Sequence, residues 1–159
     1  MRQSQEGGFE PAHGDGPVAP DAAGRRAAEV RAAFEGLLQI RRLTRADHAD
    51  PEGAPAPWEL HRPLRAVALA LEAAGIPASA VGTSGERTAS GYRVCEGGTP
   101  GSVRVEWAGP PGSGAAHDEE AALAGCVTVL RRLGWTVLSY RGPRRRRFLE
   151  VEPPSAPRP

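Results

Sequence analysis

A chain of 159 residues with compositionally poor ends has room for one domain, and its hydrophobic share of 40%, much of it alanine, limits that domain to a modest core. A net charge of +1 sets up no global field for a polyanion or a membrane surface, and no apolar run approaches the ~18 residues of a membrane span. Two cysteines make no disulfide framework and the amino terminus lacks the apolar segment of a secretory signal, so a reduced, cytoplasmic setting is expected.

Every basic charge is arginine, because lysine is absent. Codon bias in a GC-rich genome accounts for that, so only the placement of the arginines is informative. Met1–Gly24 carries one arginine against Glu6, Glu10, Asp15 and Asp21, whereas Trp135–Val151 carries five against Glu150.

Residues 1–20 are rich in Gly, Pro and acids and are expected to form a disordered acidic leader. A single domain then spans 21–152. Asp21 can cap a helix from Ala22 to about Ala46, with Val30, Ala33, Phe34, Leu37 and Ile40 on one apolar face. Arg31, Arg42 and Arg45 share another face, with Glu35 at helical spacing to partner Arg31. That face suits either a polyanion or plain solvent. Asp47–Pro57 reads as a proline-interrupted loop. A second helix starts near Pro63, carries Leu64, Val67, Ala68 and Leu71 as its stripe, and ends at Gly75. Trp58 and Leu60 are placed to pack over its first turn.

Ala78–Ser90 is a connector of small residues. Two strands follow, from Gly91 to Glu96 and from Ser102 to Trp107, closed by a five-residue glycine-containing loop. Val103, Val105 and Trp107 alternate with Arg104 and Glu106, the period of a half-buried strand. From His117 a helix presents Leu123, Cys126, Val127, Leu130 and Leu133 on one side, with acids in its first turn, arginines in its last, and Gly134 as its stop. Trp135–Tyr140 and Phe148–Val151 read as a second hairpin around an arginine-rich turn. Residues 153–159 form a proline-rich tail that cannot extend a sheet. The order of elements predicts an α+β fold: a four-stranded antiparallel sheet from two hairpins flanking a helix, with two N-terminal helices packed on it.

Several local patterns resemble sites and lack the chemistry. Gly109–Gly114 matches the glycine spacing of a phosphate loop, but Ala115 and Ala116 stand where Lys and Ser or Thr are needed. A helix-turn-helix over Leu69–Val81 is broken by Pro77, Gly82 and Gly85. The four histidines have no metal-ligand spacing, and Cys95 and Cys126 fall at core positions of a strand and a helix. No metal or cofactor is expected, and no nucleophile, base and charge stabiliser combine into an enzyme. What remains is the charge cluster Arg141, Arg144, Arg145, Arg146 and Arg147, with Tyr140 and Phe148 as stacking surfaces. It favours a small non-enzymatic regulatory accessory protein or one that binds DNA or RNA, helped by Arg31, Arg42 and Arg45. The alternative is an interaction or assembly subunit that pairs with a second copy or a protein partner. As exposed charges, the four consecutive arginines should contribute little to stability.

Overall fold

Asp21, expected to cap the first helix, lies outside the residues that the computed structural model describes, which are 9–18 and 24–154, with the Arg145 side chain excepted. Helix α1 spans Arg25–Thr44 and buries Val30 and Leu37 together with Arg41. The proline-interrupted loop ends in a short helix absent from the sequence reading, α2 (Pro57–His61), and α3 follows over Pro63–Ala73. A proline opens each, where its missing N–H costs nothing. Gly75 stops α3 with φ +84°, in the left-handed region.

The small-residue connector is a hairpin. Strands β1 (Ala80–Val81) and β2 (Arg87–Ala89) pair antiparallel around a turn in which Gly82 N–H donates to Glu86 O. The segment that a helix-turn-helix would need as its second helix is therefore strand and turn. Strands as short as Ala-Val and Arg-Thr-Ala show no period-two apolar signal, which is why composition alone reads them as loop.

The main sheet holds β3 (Gly91–Glu96), β4 (Val103–Ala108), β5 (Thr136–Arg141) and β6 (Arg147–Glu152), all antiparallel, in the order β3-β4-β6-β5. Helix α4 (Ala115–Arg132) links β4 to β5 and packs against β4, β6 and β5. The sheet's core face carries Tyr92, Val94, Val103, Val105, Trp107, Val137, Leu149 and Val151, which meet Leu123, Cys126 and Leu130 of α4 and Val67 and Leu71 of α3. Alternation sends Arg93, Cys95, Arg104, Glu106, Leu138, Tyr140, Phe148 and Glu150 to the opposite face. The fold is thus mixed α+β with a four-stranded antiparallel sheet. The first helix packs on α3.

The expectation of a disordered leader fails for residues 9–17. Tyr92 Oη donates to Ala12 O at 2.8 Å, Val94 N–H to His13 O at 2.8 Å and Val81 N–H to Gly16 O at 2.8 Å, while Ala12 N–H donates to Glu72 Oε1 at 2.8 Å. Gly14 has φ +100°, and a Cβ there would lie 2.5 Å from Tyr92 O, so no larger residue fits. Asp15 pairs with both Arg87 and Arg93. Burial works to raise its pKa, and the two guanidiniums outweigh it and hold the carboxyl below its usual range. Composition misses this packing because backbone hydrogen bonds and the ion pairs of Glu10 and Asp15, which leave no hydropathy signal, do much of the holding.

Candidate interaction edge and arginine hairpin

The two edges of the sheet differ. In an antiparallel ladder alternate residues turn their N–H and C=O toward one neighbour and then the other. On β3 the outward groups belong to Tyr92, Val94 and Glu96: Tyr92 N–H donates to Pro77 O, Tyr92 O accepts from Ser79 N–H and Val94 N–H donates to His13 O, while Val94 O and the backbone groups of Glu96 meet no partner among the described residues. The first half of that edge is covered by the leader and the segment before β1.

On β5 two bonds fix the phase. Gly142 N–H donates to Arg146 O, so the even-numbered residues face β6, and Val137 O, turned outward, accepts from Arg131 Nη2 at 2.8 Å. Val137, Ser139 and Arg141 therefore point off the sheet. Among the described residues nothing meets Val137 N–H or either backbone group of Ser139 and Arg141. Beside this edge Leu138 is 39% exposed and Tyr140 46% exposed on the open face. On the other side a groove of about 400 Å³ runs between the edge and α4, lined by Leu123, Ala124, Val127 and Arg141 among others.

The arginine-rich turn joins β5 to β6 through a tight turn at Pro143–Arg145, in which Arg144 takes φ 61°. A left-handed non-glycine residue is uncommon and carries backbone strain. Arg146 and Arg147, expected to be free for phosphates, pair with acids of α4, although the Arg146 side chain stays 52% exposed. Pairing of β4 with β6 stops at Val105 and Leu149, and the next position is spanned by side chains. Glu119, only 5% exposed at its side chain, accepts from Arg147 N–H at 2.7 Å and from Arg146 Nε at 2.8 Å, and Arg146 Nη2 donates to Trp107 O at 2.8 Å. Arg147 also lies 3.4 Å from Glu120. A carboxylate from α4 and a guanidinium from the turn thus replace the missing ladder bonds. Replacing these arginines is not neutral for stability, because Arg146 ties β4 to β6.

The prediction from this clip is that Glu119→Ala destabilises by about 2–3 kcal/mol, the scale of a charge-assisted hydrogen bond plus a stranded N–H. Glu119→Gln, which keeps an acceptor, loses less. Urea unfolding of both variants checks this; a loss below ~0.5 kcal/mol for the alanine variant, the usual surface value, would show that the strands hold without the clip.

Arg141 and Arg144 are exposed and make no ion pair among the described residues. On α1, Arg31 is exposed, while Glu35 pairs with Arg42 at 2.7 Å instead of with Arg31. Arg42 also meets Gln39 and Glu52, and the bonds to Glu35 and Glu52 raise its pKa. Arg45 is half-buried, its Nε enclosed without a partner. No hydrogen bond or ion pair among the described residues joins these α1 arginines to those of the hairpin. Tyr140 stacks on Phe148 with ring centroids 5.5 Å apart, and Arg104 lies over the same Phe148 ring at 4.1 Å, so Phe148 is flanked from both neighbouring strands. Only Tyr140 keeps a side toward the β5 edge.

Both cysteines are free. Burial pushes the Cys126 thiol up to about 12 and raises that of Cys95, which leaves both protonated and poorly nucleophilic near neutrality. The described residues contain no group of three metal-ligating side chains and no helix long and apolar enough to cross a membrane.

The site that sequence reasoning missed is the β5 edge itself. Its strand was legible, but whether an edge is covered depends on segments distant in the chain. Comparison with protein-family models, curated proteins and solved structures finds no match for this chain.

Proposed function

We propose that this protein is a non-enzymatic interaction module that takes an extended segment of a partner onto the β5 edge. The observation that carries the reading is the asymmetry between the two sheet edges. β3 is covered over its first half by the leader and the segment before β1, while β5 leaves the outward groups of Ser139 and Arg141 without partners beside exposed Leu138 and Tyr140. An uncovered strand edge is a ready template for another strand, and strand addition draws affinity from main-chain bonds and specificity from alternate side chains. Ser139→Pro tests it, because that N–H points away from β6 and its loss spares the β5–β6 ladder. In parallel affinity captures from the source cells, a partner is retained by the wild type and lost by Ser139→Pro at an unchanged melting temperature. Equal recovery on both baits overturns the reading.

Nucleic-acid binding is the second reading, and exposed Arg141 and Arg144 next to Tyr140 favour it. With Arg146 and Arg147 held by Glu119 and Glu120, few cations are left for phosphates, so the log–log salt slope on duplex DNA would be only about −2. Filter binding of wild type and an Arg141→Gln/Arg144→Gln variant separates the two. No retention of either DNA or RNA at low salt removes this reading.

A further inference from the structure

Resting on the reading of β5 as a docking edge, we infer that its occupant is an extended segment with an acidic, apolar, small, apolar, acidic pattern. The outward positions set the register. Val137, Ser139 and Arg141 are spaced two apart, so an added strand bonds through three alternate residues of its own. Its intervening side chains fall beside Leu138 and Tyr140 on the open face, where apolar residues gain most.

Its remaining side chains face α4, where Arg131, Arg141 and Arg147 outnumber the groove's one acid, Glu120. Arg131 sits at the Val137 end, spending one donor on Val137 O, and exposed Arg141 sits at the other end. The nearby acids have cationic partners: Glu120 pairs with Arg147 within the groove, and Glu150 with Arg104 on the open face. Glu152 stands opposite Thr136, on the open face at the far end. Carboxylates flanking the segment would meet Arg131 and Arg141, and the central residue would sit over Ser139 and the groove of Leu123, Ala124 and Val127.

A second copy fits less well. Pairing β5 with itself about Ser139 satisfies the same backbone groups, but it sets each Arg141 opposite the other copy's Val137, next to that copy's Arg131. That brings two guanidiniums close together at each end of the pair, and their repulsion disfavours it. The edge is thus guarded against itself and open to acids.

The probe is a fluorescein-labelled, end-blocked peptide Ser-Glu-Val-Thr-Val-Glu-Ser, followed by fluorescence anisotropy against the full chain. A matching peptide with both Glu replaced by Lys is the control. The acidic peptide should bind at least tenfold tighter than the Lys peptide, and Arg141→Glu should weaken it at least fivefold. Ser139→Pro, or N-methylation of the peptide amides that face β5, should abolish binding; the second needs no folded variant. Equal binding of both peptides, lost on N-methylation, overturns the acidic pattern and leaves the docking edge standing. A dimer in light scattering that Ser139→Pro dissolves, with neither peptide bound, assigns the edge to a second copy and also overturns the pattern. Monomeric protein that binds neither peptide overturns the pattern and the docking edge together.

Discussion

Glu59→Ala should destabilise the protein by about 3–5 kcal/mol, the cost of leaving a buried charge without its counterion. Arg41 and Glu59 are both fully buried. The pair is bidentate, Nε to Oε2 at 2.8 Å and Nη2 to Oε1 at 2.7 Å. Arg41 Nη1 adds bonds to the carbonyls of Glu52 and Leu133, each at 2.7 Å, and Glu59 Oε2 also accepts from Ala56 N–H. One guanidinium therefore joins α1, the loop before α2, α2 itself and the end of α4. Removing the carboxylate strands the guanidinium in a space that water does not reach. Urea unfolding measures the loss, and a change under ~1 kcal/mol, the range of an exposed pair, would mean that the cation is rehydrated. Replacing both residues by leucine should recover part of the loss, since a packed apolar pair often substitutes for a buried ionic one. Recovery stays partial because the carbonyls of Glu52 and Leu133 lose their donor.

Leu130→Ala is the second large effect, expected at about 2–5 kcal/mol from lost burial and the cavity left behind. Leu130 is fully buried on α4 within the cluster that also holds Val137, Leu149 and Val151. Its carbonyl accepts from Trp135 N–H at 3.1 Å in the turn that redirects the chain into β5. That turn is tightly enclosed: Gly134 has φ +91°, and a Cβ there would come within 2.1 Å of Gly53 O. The surrounding backbone thus has little room to collapse into the cavity, which places the cost toward the upper part of the range. Thermal and urea unfolding give the value. A loss below ~0.5 kcal/mol would be that of a surface site and would contradict the burial.

These effects mark where the sequence was readable. The α4 stripe through Leu123, Cys126 and Leu130, the α3 stripe, the β3–β4 alternation and the stops at Gly75 and Gly134 follow from periodicity and backbone chemistry within a few residues, and sequence by itself determined them. One signal was present and went unread: Arg41 falls on the same helical face as Val30, Phe34 and Leu37, and a charge at a core position implies a buried counterion. Its partner Glu59 lies 18 residues away, a separation at which no local rule chooses among the chain's acids. The same holds for Glu119, 27 residues from Arg146, which turns part of an apparent polyanion site into a clip between strands. The order β3-β4-β6-β5, the covering of β3 by residues 9–17 and the exposure of β5 were decided only by tertiary structure. Each depends on which distant backbone groups find one another, and hydropathy patterning carries no record of that.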